Sequence, residues 1–530
     1  MPPPRILRTT DGVNFEAVPE TPGTALGNYP WPSLRNPFED KGRLYMIGGL
    51  IQGSGVLFES ANPAAGDDEY AIVSAWLMLV SAAAPYNDQL YVGTNNLGGY
   101  KVLKADNSGS PPYTYTTVIS QGGYLAEPNS EILTFYEFDG RLYGGGNGVI
   151  LRGNPAELIR INPDDTWDVV VGDPRETPDG WKFPLSGYTS GFGNDYNGHM
   201  WRLQSYEDNL FVGTFDSSTT YKDDPVLEPQ LRDLMGFDLW RTPNATDFYS
   251  VTTVGFGDKF NFGVRSMEDT PDGLFVGAAN PYYGLQIWRA PRTHHTFLPV
   301  ISTGTGNRAN QDGSTASPEV LGSSLDPNWM SRLETTSTDD GVVVSWDSAL
   351  GAVRYRVMRS SLITFSATDY PSLESDLTAW KKAEEVGTTT GQFFRDTTAE
   401  PGEKYIYFVE AYGRPGEIAR SNIAPAPSMK PPADFDAIAS KLSDFNARGR
   451  ISSESHSQIL SALNNARSLA ATREYSRATE ALTALQQDLE QPDQTIMTDW
   501  EAEDLGMLLR RLTRQLALTE GGALPAEALQ

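Results

Sequence analysis

The chain has 530 residues and a mass of 58.1 kDa, too long for one hydrophobic core, and its length suggests about three or four units. Its 41 Lys and Arg against 68 Asp and Glu leave a formal net charge of -27, which repels phosphate backbones and anionic membranes and argues against a nucleic-acid partner. With no Cys and only four His, thiol catalysis, disulfides, Cys-held zinc and iron–sulfur centres are excluded, and little remains for a poly-His metal site. The 50 Gly, 36 Pro and 11% aromatic residues are the composition of an all-β protein with many tight turns, and the most apolar stretch, residues 71–84, is too short for a membrane helix.

The first predicted element is a hairpin over ILRTTDGVNFEAV, Ile6 to Val18. Its TTDGVNF turn resembles the Asp-box of sialidase-type propellers, although the Asp–Gly spacing departs from that motif. The resemblance implies an Asp that caps a turn, with no catalytic role. One phrase then recurs: PFEDKGRLYMIGG from Pro37, APYNDQLYVGTNN from Ala84, FYEFDGRLYGGGN from Phe135, SYEDNLFVGTFD from Ser205 and EDTPDGLFVGAAN from Glu268. Each joins an apolar run to a Leu-aromatic run through a turn rich in Asn, Asp and Gly, residues that tolerate positive φ, so each predicts a β-hairpin. A second, looser hairpin phrase follows most copies, DLWRTPNATDFYSV from Asp238 being the clearest. Two hairpins make a four-stranded sheet, and radial repetition of such sheets makes a β-propeller. The expectation is five complete blades, with the N-terminal hairpin either helping to close the ring with C-terminal strands or belonging to a sixth.

Residues 303–328, low in aromatics and rich in Gly, Ser, Thr and Asn, read as a linker that ends a propeller domain of residues 1–302. From 329 to 427 alternating strands carry Trp346, Tyr355 to Val357, the run Tyr405, Tyr407, Val409 and Ala411, and an SN pair near the end. This segment resembles a fibronectin type III domain, which implies a β-sandwich used as a spacer or adhesion module. A Pro-stiffened linker at 428–434 precedes residues 435–520, where apolar residues take helical spacing in four segments and Thr498 with Glu501 has the form of a capping box. The phrase GRISSESHSQILSALNNARSLAATREYSRATEALTALQQDL resembles the FIMAH-type helical module appended to secreted bacterial enzymes and surface proteins. The propeller itself resembles bacterial repeat proteins of uncharacterised type. This order implies an extracellular or cell-surface bacterial protein whose leader is not in this chain, since MPPPRILRTT has neither a basic nor an apolar leader region.

In a propeller, function is expected where loops enter the inner strands. Counting back from the repeat Leu places Arg35, Arg202 and Arg265 near one inner-strand start, an anion-binding set unless local acids such as Glu131, Asp195 or Asp258 pair with them. Two near-copies, GFGNDYNGHMWR from Gly191 and GFGDKFNFGVR from Gly255, offer Tyr196, Asn197, His199, Trp201 and Asn261 at one mouth, a mixture suited to a sugar. Asn280, Tyr282 and Tyr283 follow the last repeat. The expected catalytic groups are His199 or a tyrosine, as a base removing the C5 proton of a uronate, or an acid–base pair drawn from Glu131, Asp195 and Asp216 for hydrolysis. The Asn and Asp residues serve equally well as turn residues. No GxSxG, HExxH, Walker A or EF-hand pattern occurs, and no cofactor is implied beyond room for a structural calcium ion. The sequence therefore points to a polysaccharide-cleaving hydrolase or lyase, with a non-catalytic glycan-binding or adhesion protein as the alternative. It carries no signal for membrane insertion and is silent on oligomeric state.

Overall fold

The five repeats fold into five four-stranded antiparallel blades. The computed structural model describes residues 5–51, 53–148, 155–232, 234–292, 298–302, 333–338, 341–361, 383–400, 403, 405–413, 418–421, 423–426, 434–489 and 499–524. After the hairpin β1 (Leu7–Arg8) and β2 (Glu16–Ala17), blade 1 holds β3 (Ser33–Asp40), β4 (Arg43–Ile51), β5 (Ser54–Ser60) and β6 (Ala71–Ile72). Blade 2 holds β7 (Val80–Tyr86), β8 (Gln89–Thr94), β9 (Val102–Asp106) and β10 (Thr114–Ile119). Blade 3 holds β11 (Glu131–Phe138), β12 (Arg141–Asn147), β13 (Leu158–Ile161) and β14 (Trp167–Val171), and is followed by the small hairpin β15 (Arg175–Thr177) and β16 (Gly180–Lys182). Blade 4 holds β17 (Asn197–Tyr206), β18 (Asn209–Asp216), β19 (Leu239–Thr242) and β20 (Tyr249–Thr252), with the short helix α1 (Glu228–Leu231) between its second and third strands. Blade 5 holds β21 (Gly263–Thr270), β22 (Gly273–Ala279), β23 (Gln286–Ala290) and β24 (Leu298–Ser302).

Local chemistry explains the repeated phrase. In four blades the turn between the first two strands places both central residues at positive φ: Lys41–Gly42, Asn87–Asp88, Asp139–Gly140 and Glu207–Asp208. That is the mirror-image turn matching strand twist, which favours Asn, Asp and Gly. The glycine after the aromatic run has a packing reason. A Cβ on Gly93, Gly145 or Gly213 would lie 2.7 Å from Ile132 Cβ, 2.4 Å from Met200 O or 2.5 Å from Val264 Cβ, so the next blade's inner strand approaches only because these positions are bare. Blade-to-blade cores form from the alternate residues, Tyr45, Ile47, Val80 and Val92 between blades 1 and 2, and Tyr91, Tyr100, Ile132 and Trp167 between blades 2 and 3.

The N-terminal hairpin forms neither a sixth blade nor a closing strand. It is its own two-stranded sheet, and the segment after it packs Val18, Leu26 and Trp31 against Val56, Phe58 and Tyr70 of blade 1. Blade 5 completes itself with β24. Asp11 accepts backbone N–H bonds from Val13 at 2.8 Å and Asn14 at 2.7 Å, which hold its carboxyl well below the usual range. It caps the turn.

A second compact unit contains a β-sandwich and helices. One sheet orders β25 (Glu334–Thr338), β26 (Gly341–Ser345) and β29 (Phe393–Asp396). The other orders β28 (Glu384–Thr389), β27 (Arg354–Ser361), β30 (Tyr405–Tyr412) and β31 (Ile418–Arg420), with β32 (Ala424–Ala426) also on β30. Trp346 is fully buried between them with Tyr355, Val357, Tyr407 and Val409. Helices α2 (Phe435–Ala447), α3 (Ser453–Ala471), α4 (Tyr475–Leu489) and α5 (Asp499–Glu520) bury the apolar stripes read from the sequence, including Ile438, Leu463, Leu482 and Leu509. Asp434 caps α2 through Ala437 N at 2.6 Å, and Ser452 caps α3 through Ser455 N at 3.0 Å. Within this unit α5 also docks on the sandwich, where Leu518 and Leu524 pack on Val343 and Arg511 pairs with Glu334. The expected linker 303–328, most of the linker 428–434 and the capping residue Thr498 lie outside the described residues. Glu501, the other half of that expected box, pairs with Arg450 at 3.7 Å. Among the described residues, no helix is long and apolar enough to cross a membrane.

Candidate functional site

Each inner strand carries a register shift near its start, at Arg35/Phe38, Val80/Ala82, Ile132/Thr134, Met200/Arg202 and Val264/Ser266. Such bulges re-aim side chains, and they occur here at the end of the ring where inner strands begin and second strands finish. At this mouth single ladder pairs link one blade to the next: Gly55 with Val80, Asn95 with Glu131, Asn147 with His199, and Phe215 with Gly263. Glu131 also faces Asn147, and His199 faces Phe215, within their own blades. A continuous row, Asn95–Glu131–Asn147–His199–Phe215–Gly263, therefore rims the axis. Directly paired residues project to the same side, so the topology alone brings Glu131 and His199 into one row.

Glu131, 3% exposed, accepts from Asn95 Nδ2 at 3.0 Å, Asn147 Nδ2 at 3.1 Å and Ser54 Oγ at 3.3 Å. Burial pushes its carboxyl up, while these donors and the charge of Arg35 pull the other way. His199 stacks on Phe215 at 4.5 Å and meets Trp201 edge-on at 5.7 Å. Its Nδ1 lies 2.8 Å from the Gly198 carbonyl, which can only accept, so Nδ1 carries the proton and Nε2 is the basic nitrogen. Desolvation, with the charge of Arg265 adding to it, lowers the ring from 6.5 to about 4, so His199 is neutral at physiological pH. Since the unfolded chain takes up this proton first, stability should fall as pH drops from 6.5 to about 4 and be indifferent above that window, by up to about 3 kcal/mol. Unfolding midpoints across that range should converge toward those of His199→Gln as pH falls.

The three arginines meet at this mouth. Arg202 Nε donates to the Arg265 carbonyl at 2.8 Å, and its Nη1 to the Trp201 carbonyl at 3.1 Å. The Arg265 guanidinium lies 4.8 Å from the Trp201 ring centroid. Among the described residues neither Arg202 nor Arg265 meets a carboxylate, while Arg35 is electrostatically coupled to both and to Glu131. Desolvation and then mutual repulsion lower Arg202 and Arg265, yet guanidinium remains cationic at neutral pH. Their register differs from the expected common start. Arg35, opposite Ile47, and Arg202, opposite Gly213, share one ladder position, whereas Arg265 is the bulged residue between Val264 and Ser266.

Several expected ligand groups are committed to the protein. Asn197, fully buried, donates to the Gly191 carbonyl at 2.9 Å and Asp238 at 2.8 Å; Asn261, also fully buried, donates to the Gly255 carbonyl at 2.9 Å and Gln286 at 2.8 Å. Asn280 bonds Asp258 and Asn261 at 3.0 Å and holds the Tyr282 and Tyr283 N–H groups. The side chains of these three asparagines are engaged in shaping loops whose Gly and Phe residues have positive φ. Asp258 bonds Gln286 Nε2 at 2.6 Å and is no partner of the arginines. Asp216 is fully buried, bonds Asn194 at 3.1 Å and the Ser218 N–H at 2.6 Å, and is raised to about 6 by burial. It shares no partner with Glu131, so the expected hydrolytic pair is split between separate networks. Asp195 is half-buried and, after burial and Tyr221, contributes to raising the Tyr196 hydroxyl. Tyr196 meets Tyr221 edge-on at 6.0 Å.

Two features escaped the sequence. Asn129, at the end of QGGYLAEPN, is a third copy of the loop asparagine, signalled by the two glycines before it, and bonds the Pro155 carbonyl at 3.1 Å. Asp238, buried and raised well above the usual range by burial and then Asp216, sits at a third-strand start with no acidic motif to mark it. Among the described residues, no group of three or more His, Asp and Glu side chains is arranged to hold a metal ion.

No protein-family model matches the chain, and no curated protein matches it. Among solved structures, a pectate lyase from Pectobacterium carotovorum is similar over 19% of this chain and 27% of its own, at 25% identity and a TM-score of 0.15. The chain thus spans about a quarter of that lyase's length. A GH43 protein of Bacillus licheniformis is similar over 73% of this chain and 88% of its own, at 9% identity and a TM-score of 0.25. The xyloglucan-locus GH43B of Bacteroides ovatus is similar over 74% and 89%, at 10% identity and the same TM-score of 0.25. At TM-scores of 0.15 to 0.25 these likenesses carry no functional argument.

Proposed function

We propose that the propeller mouth binds an acidic polysaccharide and cleaves it by β-elimination. The observation that carries this reading is the convergence of Arg35, Arg202 and Arg265 beside a neutral His199 on a chain of net charge -27. Arg202 and Arg265, which meet no carboxylate among the described residues, repel one another until an anion joins them, and a uronate carboxylate is an anion that guanidiniums bind bidentately. Neutralising that carboxylate acidifies the C5 proton. His199 Nε2 takes it, the electron pair forms the C4–C5 double bond, and the glycosidic oxygen leaves from C4 and takes a proton from water. Trp201 and Phe215 supply the apolar wall beside the sugar.

The low basicity of His199 favours a second reading, a glycan-binding protein using the same arginines without cleavage. In either case the sandwich, which resembles a fibronectin type III domain, and the helices, which resemble a FIMAH-type module, serve as spacer and attachment for an extracellular or cell-surface protein. The test is a screen of the full chain against acidic and neutral polysaccharides, reading unsaturated-uronate absorbance together with reducing ends. Both signals on an acidic polymer are expected. Reducing ends alone would overturn the elimination, and binding without either signal would establish the second reading.

A further inference from the structure

Among the described residues, the exposed large apolar side chains of the blades all lie on segments at the mouth, before inner strands or after second strands. Trp76 is built differently from the rest. It sits on the helical turn Trp76–Met78 that leads into β7, 47% exposed, with its indole stacked on Trp31 at 5.6 Å and 18°. Trp31 is buried at 5%, its Nε1 donating to the Leu26 carbonyl at 3.1 Å, and its ring meets Phe58 edge-on at 4.9 Å. Tyr29 abuts Trp76 edge-on at 5.7 Å. One face of the Trp76 ring is thus fixed by an anchored neighbour, so presenting its exposed surface costs little further side-chain entropy on binding.

The platform connects to the site by a short path. Leu79, at φ 50, ends the turn, and its carbonyl accepts the Asn95 N–H at 2.8 Å; Asn95 in turn holds Glu131. A second aromatic surface lies on blade 5, where Tyr282 and Tyr283, 50% and 38% exposed, rest on Phe260 at 4.5 Å and 5.5 Å. In order around the ring stand this pair, Arg265, Arg35 and then Trp76.

We propose that Trp76 is a sugar-stacking platform at the edge of the mouth, and that the ligand is an extended acidic glycan reaching from the arginines onto it, several units long. The proposal rests on the acidic-glycan reading above. A backed, flat indole suits the C–H face of a pyranose, and the net charge of -27 disfavours an anionic lipid surface as the occupant.

The test is calorimetric titration of the full chain with hexasaccharides of galacturonate, mannuronate and glucuronate, each beside its disaccharide. At least one hexasaccharide should bind about tenfold more tightly than its disaccharide. Trp76→Ala should remove that gain and leave the disaccharide unchanged, and Trp76→Tyr should restore most of it. A length gain that survives in Trp76→Ala, or a disaccharide weakened equally, overturns the platform. If disaccharides bind through Arg265 while Trp76 has no effect, this inference alone falls. If no acidic oligomer binds, it falls together with the reading on which it rests.

Discussion

Replacing Arg202 and Arg265 together by alanine is expected to weaken binding of an acidic glycan by at least about a hundredfold, since each removes a charge-assisted contact worth roughly 1.5–3 kcal/mol. The same double variant should unfold no more easily than the wild type. Neither guanidinium meets a carboxylate among the described residues, and each is lowered by burial and by its neighbours' charge, so the repulsion relieved by removing them offsets the loss of two Arg202 hydrogen bonds to carbonyls and of the Arg265 contact with Trp201. Arginines that served only the fold would give the opposite pattern, a lower unfolding midpoint with binding intact. Titration and denaturant unfolding on the same preparations separate the two. Arg265→Ala alone should also raise the pKa of His199, because the charge of Arg265 is one of the influences that lower it. The acid limb of any His199-dependent activity should then move upward from about 4.

The largest loss of stability is expected from Arg175→Ala. Arg175 and Glu157 are 4% and 1% exposed and form a two-pronged pair between the small hairpin after blade 3 and the residue preceding β13, with Nη1 donating to Oε2 at 2.8 Å and Nη2 to Oε1. Burial pushes the Glu157 carboxyl up, with Arg175 opposing it, and the half-buried Asp173 lies alongside. Removing the cation strands the Glu157 carboxyl in a dry site, at a cost of about 3–5 kcal/mol. Exchanging both partners for apolar residues of similar volume should recover much of that loss, because the pair's own desolvation disappears with it. Denaturant midpoints for the single and double variants decide the matter. A single variant as stable as the wild type would mean that water or rearrangement reaches the site.

The blades were legible because their signals are local. The turn residues at Asn87–Asp88 and Asp139–Gly140 need positive φ, and the Leu-aromatic runs alternate toward the inter-blade cores. The N-terminal hairpin was not legible in the same way. Its turn chemistry marks it as a hairpin, but only the packing of Val18 and Trp31 on Phe58 decides where it goes. The site divides along the same line. His199, Trp201 and the arginines stood out as chemistry-bearing residues near inner-strand starts. Whether Asn197, Asn261 and Asn280 face a ligand or tie down a loop depends on hydrogen bonds to Gly191, Gly255 and Asp258 that no spacing rule encodes. Trp76 shows the converse. Its segment reads as an apolar stretch, and only the buried Trp31 beneath it turns an exposed indole into a fixed surface.

The measurement that reaches the central claim most directly is a paired titration of the full chain with one acidic polysaccharide and with the same polymer after its carboxylates have been reduced to alcohols. Shape, length and stacking surface are then nearly equal, and the charge is not. The account predicts binding of the acidic form, weakened by salt and lost in the Arg202→Ala, Arg265→Ala double variant, with little binding of the reduced form. Equal affinity for both forms, or preference for the neutral one, would contradict it.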